Sequence, residues 1–410
     1  MPTLLLAQRF PPHQGAAARR LGWLARRLAE HGEVFVIRRG EPGGQPIPEV
    51  AQTIAIGTTD LRKLSGYEGR TVGGGVKANP VVNFLLRLRQ AYPLVYLADD
   101  GGWAYRRQAF VAACALVEAH GITTILSSFR PWSDHLMARQ LKRKYPQLRW
   151  VADFRDLPVD LVRQDVWWPA LQRWWGKRVI AGADEVWAVS EGQRQQLAGW
   201  HANLKVVRNP LLSLPPAENN PVTERFTIVY TGSLYAGLQT VVPLVEALQQ
   251  LLAEGTIAPD KFCLRYRGKD AELFGQWTAG LPENCRDIAP PIAPAAAQKM
   301  QRTAQVLLLL NWSAPGYYGV LTAKLWDYLA TGRPILALVN GPHDPELAAI
   351  VAGANAGAVF AEQEQGLADW LHRTYARWEK TGTLPWVVDR EELNSYLGYD
   401  PLLFAANLLG

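Results

Sequence analysis

The sequence predicts an α/β protein of two doubly wound halves, each a parallel sheet with helices on both faces. Three observations predict it. Short apolar runs alternate with amphipathic helical patterns from end to end. Runs such as TLLLAQRF, RWVADF and AQVLLLL are apolar at consecutive positions, the pattern of strands buried on both faces. Finally, a chain of 410 residues, 48% hydrophobic, exceeds one core, since single cores stop growing near about 250–300 residues.

Taken in order, TLLLAQRF leads into the helix AAARRLGWLARRLAEHG and then EVFVIRR. LVYLA, the helix around AFVAACALVEAHG, ITTILSSF, the helix SDHLMARQLKRKY and RWVADF follow, then the tryptophan-rich helix DVWWPALQRWWGKRVIAGA and DEVWAVS. The pattern breaks at RNPLLSLPPAENNP, rich in Pro and Asn, which reads as a linker. It restarts with RFTIVYTG, a helix near VVPLVEALQQLLAEG, KFCLRYRG, a helix, AQVLLLL, a helix within GVLTAKLWDYLATG, PILALV, another helix, AGAVF and a helix ending near Lys380. The expected organisation is an N-terminal Rossmann-like domain over 1–207, a linker over 208–222 and a second Rossmann-like domain over 223–385. A helical segment over 386–410 is expected to pack back across a cleft between the domains. In such sheets ligands bind beyond the carboxyl ends of the strands.

Composition narrows the function classes. A net charge of +6 and 20% charged residues, with no dense basic block, argue against a nucleic-acid binder. Three scattered cysteines, Cys114, Cys263 and Cys285, argue against a disulfide framework or zinc site and suggest a reducing compartment. The N-terminus lacks a signal-peptide pattern, and no apolar run approaches the roughly 20 residues of a membrane span. The expectation is a cytoplasmic protein, at most peripheral at the inner face of a plasma membrane.

Candidate site residues fall at strand ends. Gly15 sits between the first strand and its helix, where free N–H groups favour an anion, or it serves a turn with no ligand. Arg155 and Asp156 end RWVADFRD; Arg155 could neutralise or orient a substrate and Asp156 could accept a hydroxyl proton, or the two could hold a loop. Ser133 reads as a helix N-cap, and His135 faces either the cleft or the next strand. Gly232 and Ser233 make a turn before a helix that could take a phosphate, or a plain turn. Arg267 ends KFCLRYRG and joins the donor-side candidates. In TAKLWDYLATGRP a helix is expected over Leu321 to Thr331, stopped by Gly332 and Pro334, with Leu325, Tyr328 and Leu329 toward the core. Lys324 and Asp327 lie one turn apart and share a face. They could simply pair. Alternatively, amides at that helix start with Lys324 hold a diphosphate while Asp327 accepts from a ribose diol, which suits a sugar nucleotide.

At these residues the chain resembles a GT-B glycosyltransferase of glycosyltransferase family 4, in the branch that builds bacterial surface polysaccharides. The resemblance covers nearly the whole chain. It rests on PPHQGAAARR, ADDGGWAYRRQA, SSFRPWSDH, WVADFRDL, ADEVWAVSEG, VVRNP, FTIVYTGSLY and above all TAKLWDYLATGRPILAL. It implies that Gly15 approaches donor and acceptor, and that Arg155 or Asp156 lies by the reacting sugar, where many relatives have a His-Asp pair. It also implies that Asp327 binds ribose, that amides near Leu321 and Thr322 contact the diphosphate, and that Gly232 and Ser233 lie under the phosphates. Two positions depart from the pattern: Gly319 stands where relatives often have Glu, and LYAGLQT lacks their Arg and Lys.

The expected function is therefore transfer of a hexose-type sugar from a nucleoside-diphosphate donor to a glycan, lipid-linked or small-molecule hydroxyl, with retention implied by the resemblance. No cofactor is expected beyond the nucleotide-sugar substrate, and no Asp-x-Asp suggests a metal clamp. Partners expected are the nucleotide sugar, the acceptor and an anionic membrane surface, but no nucleic acid. The basic stretch with Arg62, Lys63, Arg70, Lys77, Arg87 and Arg89, and the pairs Trp167–Trp168 and Trp174–Trp175, read either as membrane contacts or as core and solvated loop. Two rivals are a non-enzymatic sugar-nucleotide-binding partner of a transferase and a nucleotide-sugar 2-epimerase.

Overall fold

The computed structural model describes residues 1–13, 15–40, 47–57, 102–160, 162, 166, 168–211, 224–362, 364–382 and 384. Its chain divides into two compact units, with the boundary between Pro210 and Leu211. The basic stretch over 61–92, Trp167, most of the expected linker and the segment over 386–410 lie outside the described residues.

In the first unit the strands are β1 (Thr3–Leu6), β2 (Val34–Arg39), β3 (Gln52–Ile56), β4 (Thr124–Phe129), β5 (Arg149–Phe154), β6 (Glu185–Ala188) and β7 (Leu204–Val206). They form one parallel sheet in the order β3-β2-β1-β4-β5-β6-β7. The chain starts at β1, builds outward to β3, then returns to β4 on the other side of β1. The strand order therefore reverses between β1 and β4, the crevice where open α/β sheets bind ligands. Helices α1 (Ala16–Ala29), α2 (Gly102–His120), α3 (Trp132–Lys144), α4 (Pro169–Ile180) and α5 (Glu191–Gln196) complete the unit. Helix α1 buries Ala18, Leu21, Leu24, Ala25 and Leu28, the i, i+3, i+4 stripe of a core-facing helix.

One buried ion pair fixes α1 against the sheet. Arg20 Nη2 lies 2.6 Å from Asp153 Oδ1, and both side chains are almost wholly buried. Ser128 Oγ donates to the same carboxylate, and Arg20 Nη1 donates to the Arg208 carbonyl at 2.9 Å and to Asn209 Oδ1 at 3.4 Å. Arg208 and Asn209, expected to open a linker, are thus tied to the first unit.

The second unit repeats the design. Strands β8 (Phe226–Thr231), β9 (Phe262–Arg267), β10 (Arg286–Ala289), β11 (Val306–Trp312), β12 (Ile335–Asn340) and β13 (Gly357–Ala361) form a parallel sheet ordered β10-β9-β8-β11-β12-β13. Its reversal lies between β8 and β11. Helices α6 (Val242–Ala253), α7 (Ala271–Trp277), α8 (Pro294–Thr303), α9 (Ala323–Leu329), α10 (Pro345–Gly353) and α11 (Leu367–Thr381) flank it. Strand β11 is buried at all seven positions because its alternate side chains enter two cores. Val306, Leu308 and Leu310 meet α6 and α11 residues, while Leu307 and Leu309 meet Leu325, Tyr328 and Leu329 of α9. Each fully buried leucine contributes roughly 1.5–3 kcal/mol.

Some sequence expectations need correction. Pro131, not Ser133, is the N-cap of α3, and Ser133 lies inside the first turn. The turn at Gly232 and Ser233 does not run straight into a helix, since α6 begins at Val242. Helix α9 is shorter than expected, starting at Ala323 after the N-cap Thr322. It also ends two residues early, at Leu329 rather than Thr331, with Gly332 just beyond it at a φ of 67°. Of the tryptophans, Trp168 and Trp174 are exposed, at 52% and 47%, and so do not pack in the core. Among the described residues, no helix is long and apolar enough to cross a membrane.

Candidate functional site

In the second unit, two segments singled out in the sequence come together at the strand-order reversal. Beyond β8 the chain turns at Gly232, whose φ is 113°. Its N–H donates to the Arg267 carbonyl and its own carbonyl accepts from Tyr266 Oη, both at 2.8 Å. Lys324, in the first turn of α9, reaches this turn. Its Nζ donates to Tyr230 Oη at 2.6 Å and to the Ser233 carbonyl at 3.2 Å, and lies 4.3 Å from the Tyr230 ring centre. A Cβ on residue 232 would meet Lys324 Cε at 2.8 Å, so glycine makes room for the lysine. Burial lowers the Lys324 pKa to about 8, against the pull of Asp270 and Asp327.

The support around it is built from aromatics and one carboxylate. Tyr230, Tyr266 and Phe274 stack, with Tyr266 and Phe274 centroids 4.5 Å apart. Asp270 Oδ2 accepts from the Leu234 amide at 2.8 Å and pins the loop after Ser233. Gly268 lies under the same turn: a Cβ there would meet the Gly232 carbonyl oxygen at 2.0 Å and Tyr266 Oη at 2.2 Å. Gly268→Ala is therefore expected to cost about 1–3 kcal/mol by overpacking against backbone. Urea unfolding checks this; a loss below about 0.5 kcal/mol, the range of an unstrained surface change, would mean the turn yields freely.

The other donor-side candidates are placed as follows. Asp327 is half-buried on α9. The Leu321 and Thr322 amides are engaged in tight turns, donating to the Gly319 and Val320 carbonyls at 2.9 and 3.1 Å. Thr322 Oγ1, by contrast, is buried with no hydrogen-bond partner. Arg267 is committed to structure: Nη2 donates to Asp287 Oδ1 at 2.7 Å and Nη1 to the Asp287 carbonyl at 2.9 Å. Burial pushes the Asp287 carboxyl up, but Arg267 and Arg265 outweigh it and hold it below its usual range.

Two residues escaped the sequence reading. Asn311, at the carboxyl end of β11, is buried with neither Oδ1 nor Nδ2 hydrogen-bonded within the protein. Asp344 caps α10 through the Glu346 and Leu347 amides, and its other oxygen accepts from the Gly319 amide at 2.9 Å. It tethers the glycine loop that leads to α9. The local DPE string is a readable N-cap signature; the bond to Gly319 leaves no trace in sequence.

In the first unit, Gly15 is the exposed N-cap of α1, with φ 115° and no acidic residue in the first turn. Arg155 and Asp156 follow β5. Arg155 Nη2 donates to the Arg130 carbonyl and Nη1 lies 3.9 Å from Asp156 Oδ2. The Arg155 side chain is 10% exposed and that of Asp156 47%. His135 lies apart from them, in the core. It is fully buried among Phe129, Trp132, Trp150 and Phe154, with Nδ1 2.8 Å from Ser127 Oγ. Burial drives its pKa down to about 3, against Asp153, so the ring is neutral at physiological pH. Ser133 and Asp134 are buried too, and both bond Gln8 beyond β1. Among the described residues, no group of three or more His, Cys, Asp or Glu could hold a metal ion.

No family model matches the sequence, and no curated protein matches it. Solved structures do match in fold. The E. coli protein described as "Trehalose-6-phosphate" and bound with UDP-2-fluoro glucose aligns over 100% of this chain and 99% of its own, at 11% identity and a TM-score of 0.59. TarM aligns over 100% and 98%, at 7% identity and a TM-score of 0.57. Anabaena Alr3699/HepE, in complex with UDP-glucose, aligns over 100% and 99%, at 13% identity and a TM-score of 0.53. With two parallel sheets flanked by helices, and this match in fold, the chain has the fold of the GT-B glycosyltransferases.

Proposed function

We propose that the protein transfers a sugar from a nucleoside-diphosphate sugar to a hydroxyl acceptor. The observation that carries this reading is the half-buried Lys324, its ammonium held against the Gly232–Ser233 turn at the strand-order reversal of the second sheet. Glycosyl transfer builds negative charge on the departing diphosphate as the sugar becomes oxocarbenium-like. A preplaced cation in a low-dielectric turn stabilises that charge without reorganising. Thr322 Oγ1 and the Asn311 amide, polar and unpartnered within the protein, offer further bonds on the same side of the sheet. Asp327, one turn beyond Lys324, is assigned to the ribose hydroxyls. That two structures of this fold hold UDP-glucose or its fluoro analogue supports the donor class.

The finer features belong to the same proposal. The enzyme is read as a family 4-like, retaining hexosyltransferase in polysaccharide biosynthesis that needs no metal, because Lys324 and loop groups meet the diphosphate charge. Its acceptor is a glycan or lipid-linked sugar, and its place is the cytoplasm or the inner membrane surface. The exposed Trp168 and Trp174 support the peripheral location. The chemistry at the acceptor is given to Asp156, the exposed carboxylate beyond β5.

Calorimetric titration with UDP, GDP, ADP and dTDP tests the reading. One nucleotide is expected to bind, and Asp327→Ala to weaken it at least tenfold, about 1.4 kcal/mol. No binding to any of the four by folded protein sinks the donor assignment.

A further inference from the structure

We propose that the carboxyl edge of the first sheet is an oxyanion-binding site, for a phosphate or a carboxylate. That this anion belongs to the acceptor rests on the transfer reading; the binding itself does not. Four neighbouring strands deliver arginines to one edge. Arg9 follows β1, Arg38 and Arg39 end β2, Arg130 follows β4 and Arg155 follows β5. Strands β2, β1, β4 and β5 are adjacent in that order, and the reversal between β1 and β4 lies in their midst.

The charges are close enough to feel one another. Arg9 and Arg130 both oppose the charge on Arg155, whose pKa is lowered first of all by burial. Asp156 lies 3.9 Å from Arg155 and is half exposed. Arg155 itself is nine-tenths buried, with Nε lacking any hydrogen-bond partner. A buried guanidinium with a bare Nε is costly unless an acceptor arrives. The N-terminus of α1, opened by Gly15 with no acidic side chain in its first turn, faces the same edge and adds a positive dipole end. Guanidinium groups suit planar or tetrahedral oxyanions because their N–H groups come in a fork.

The test is calorimetry on the whole 410-residue chain at low ionic strength without nucleotide, titrating inorganic phosphate, glucuronate and neutral glucose. Phosphate, glucuronate or both should bind, with affinity at least fivefold weaker in Arg155→Gln and in Arg9→Gln, while glucose gives no comparable heat. Arg9 is half-buried, so its variant keeps the test usable if Arg155→Gln misfolds. Binding of phosphate alone assigns a phosphorylated acceptor, and of glucuronate alone an acidic sugar. Absence of anion binding in folded wild type overturns the proposal. So does a phosphate signal that survives both arginine variants but disappears in Lys324→Met, which would place the anion in the second unit. Either failure alongside intact nucleotide binding leaves the donor reading standing.

Discussion

Lys324→Met is expected to weaken binding of the cognate nucleoside diphosphate at least 100-fold and to lower turnover further. Methionine keeps most of the packing volume, so the change isolates the charge. Removing one partner of a desolvated charge pair costs about 2–5 kcal/mol, and 100-fold corresponds to about 2.7 kcal/mol. Turnover should fall more than affinity because charge on the diphosphate grows in the transition state. The wild type should also show a pH signature. The Lys324 pKa of about 8 in the free protein means affinity is steady below that value and falls as pH rises through it. Phosphate second ionisations, near about 6, are complete in this range. The slope approaches tenfold per pH unit until the higher pKa of the complex is reached. For the unligated fold the sign is opposite. Between about 8 and 10.5 the unfolded lysine binds more protons than the folded one, so stability rises with pH across that window. Titrations from pH 7 to 9.5 on both proteins decide the matter. A flat wild-type profile, or a methionine variant that binds like wild type, removes Lys324 from the diphosphate site.

What the sequence discloses of this fold follows from where its side chains go. Runs such as VLLLL announce β11 because both faces of the strand are buried, and the spacing of Leu325, Tyr328 and Leu329 announces the inner face of α9. Trp326, equally buried, falls outside that stripe and could not be read. That Arg155 and Asp156 sit just beyond β5 was legible because a charged pair closing an apolar strand has few other places to go. Ser133, Asp134 and His135 were misleading for the opposite reason. Three polar residues in a row look like an exposed helix start, yet their partners Gln8 and Ser127 come from other strands and draw them inside. Arg267 likewise looked free for a ligand until the register of β9 and β10 set Asp287 beside it. Partners brought together by strand pairing, rather than by sequence spacing, are what pattern reading misses.

The same lesson yields the largest expected effect on stability. Arg20 and Asp153 lie on a helix and a strand far apart in sequence, and neither drew notice as a pair. Asp153→Ala should destabilise the first unit by about 3–5 kcal/mol, the cost of leaving one buried charge without its counterpart. The stranded group is Arg20, whose side chain is 1% exposed and cannot turn to solvent without pulling α1 from the sheet. The loss should spread, since Arg20 also holds the Arg208 carbonyl and Asn209 Oδ1 at the end of the unit. Removing both charges, in Arg20→Met/Asp153→Leu, should cost much less than the sum of the single changes. Apolar replacement of a whole buried pair is often neutral, whereas breaking it is not. Urea unfolding of the two single variants and the double variant gives the coupling directly. Additive losses would mean that the two charges act independently, and α1 would then be held by its leucine stripe alone.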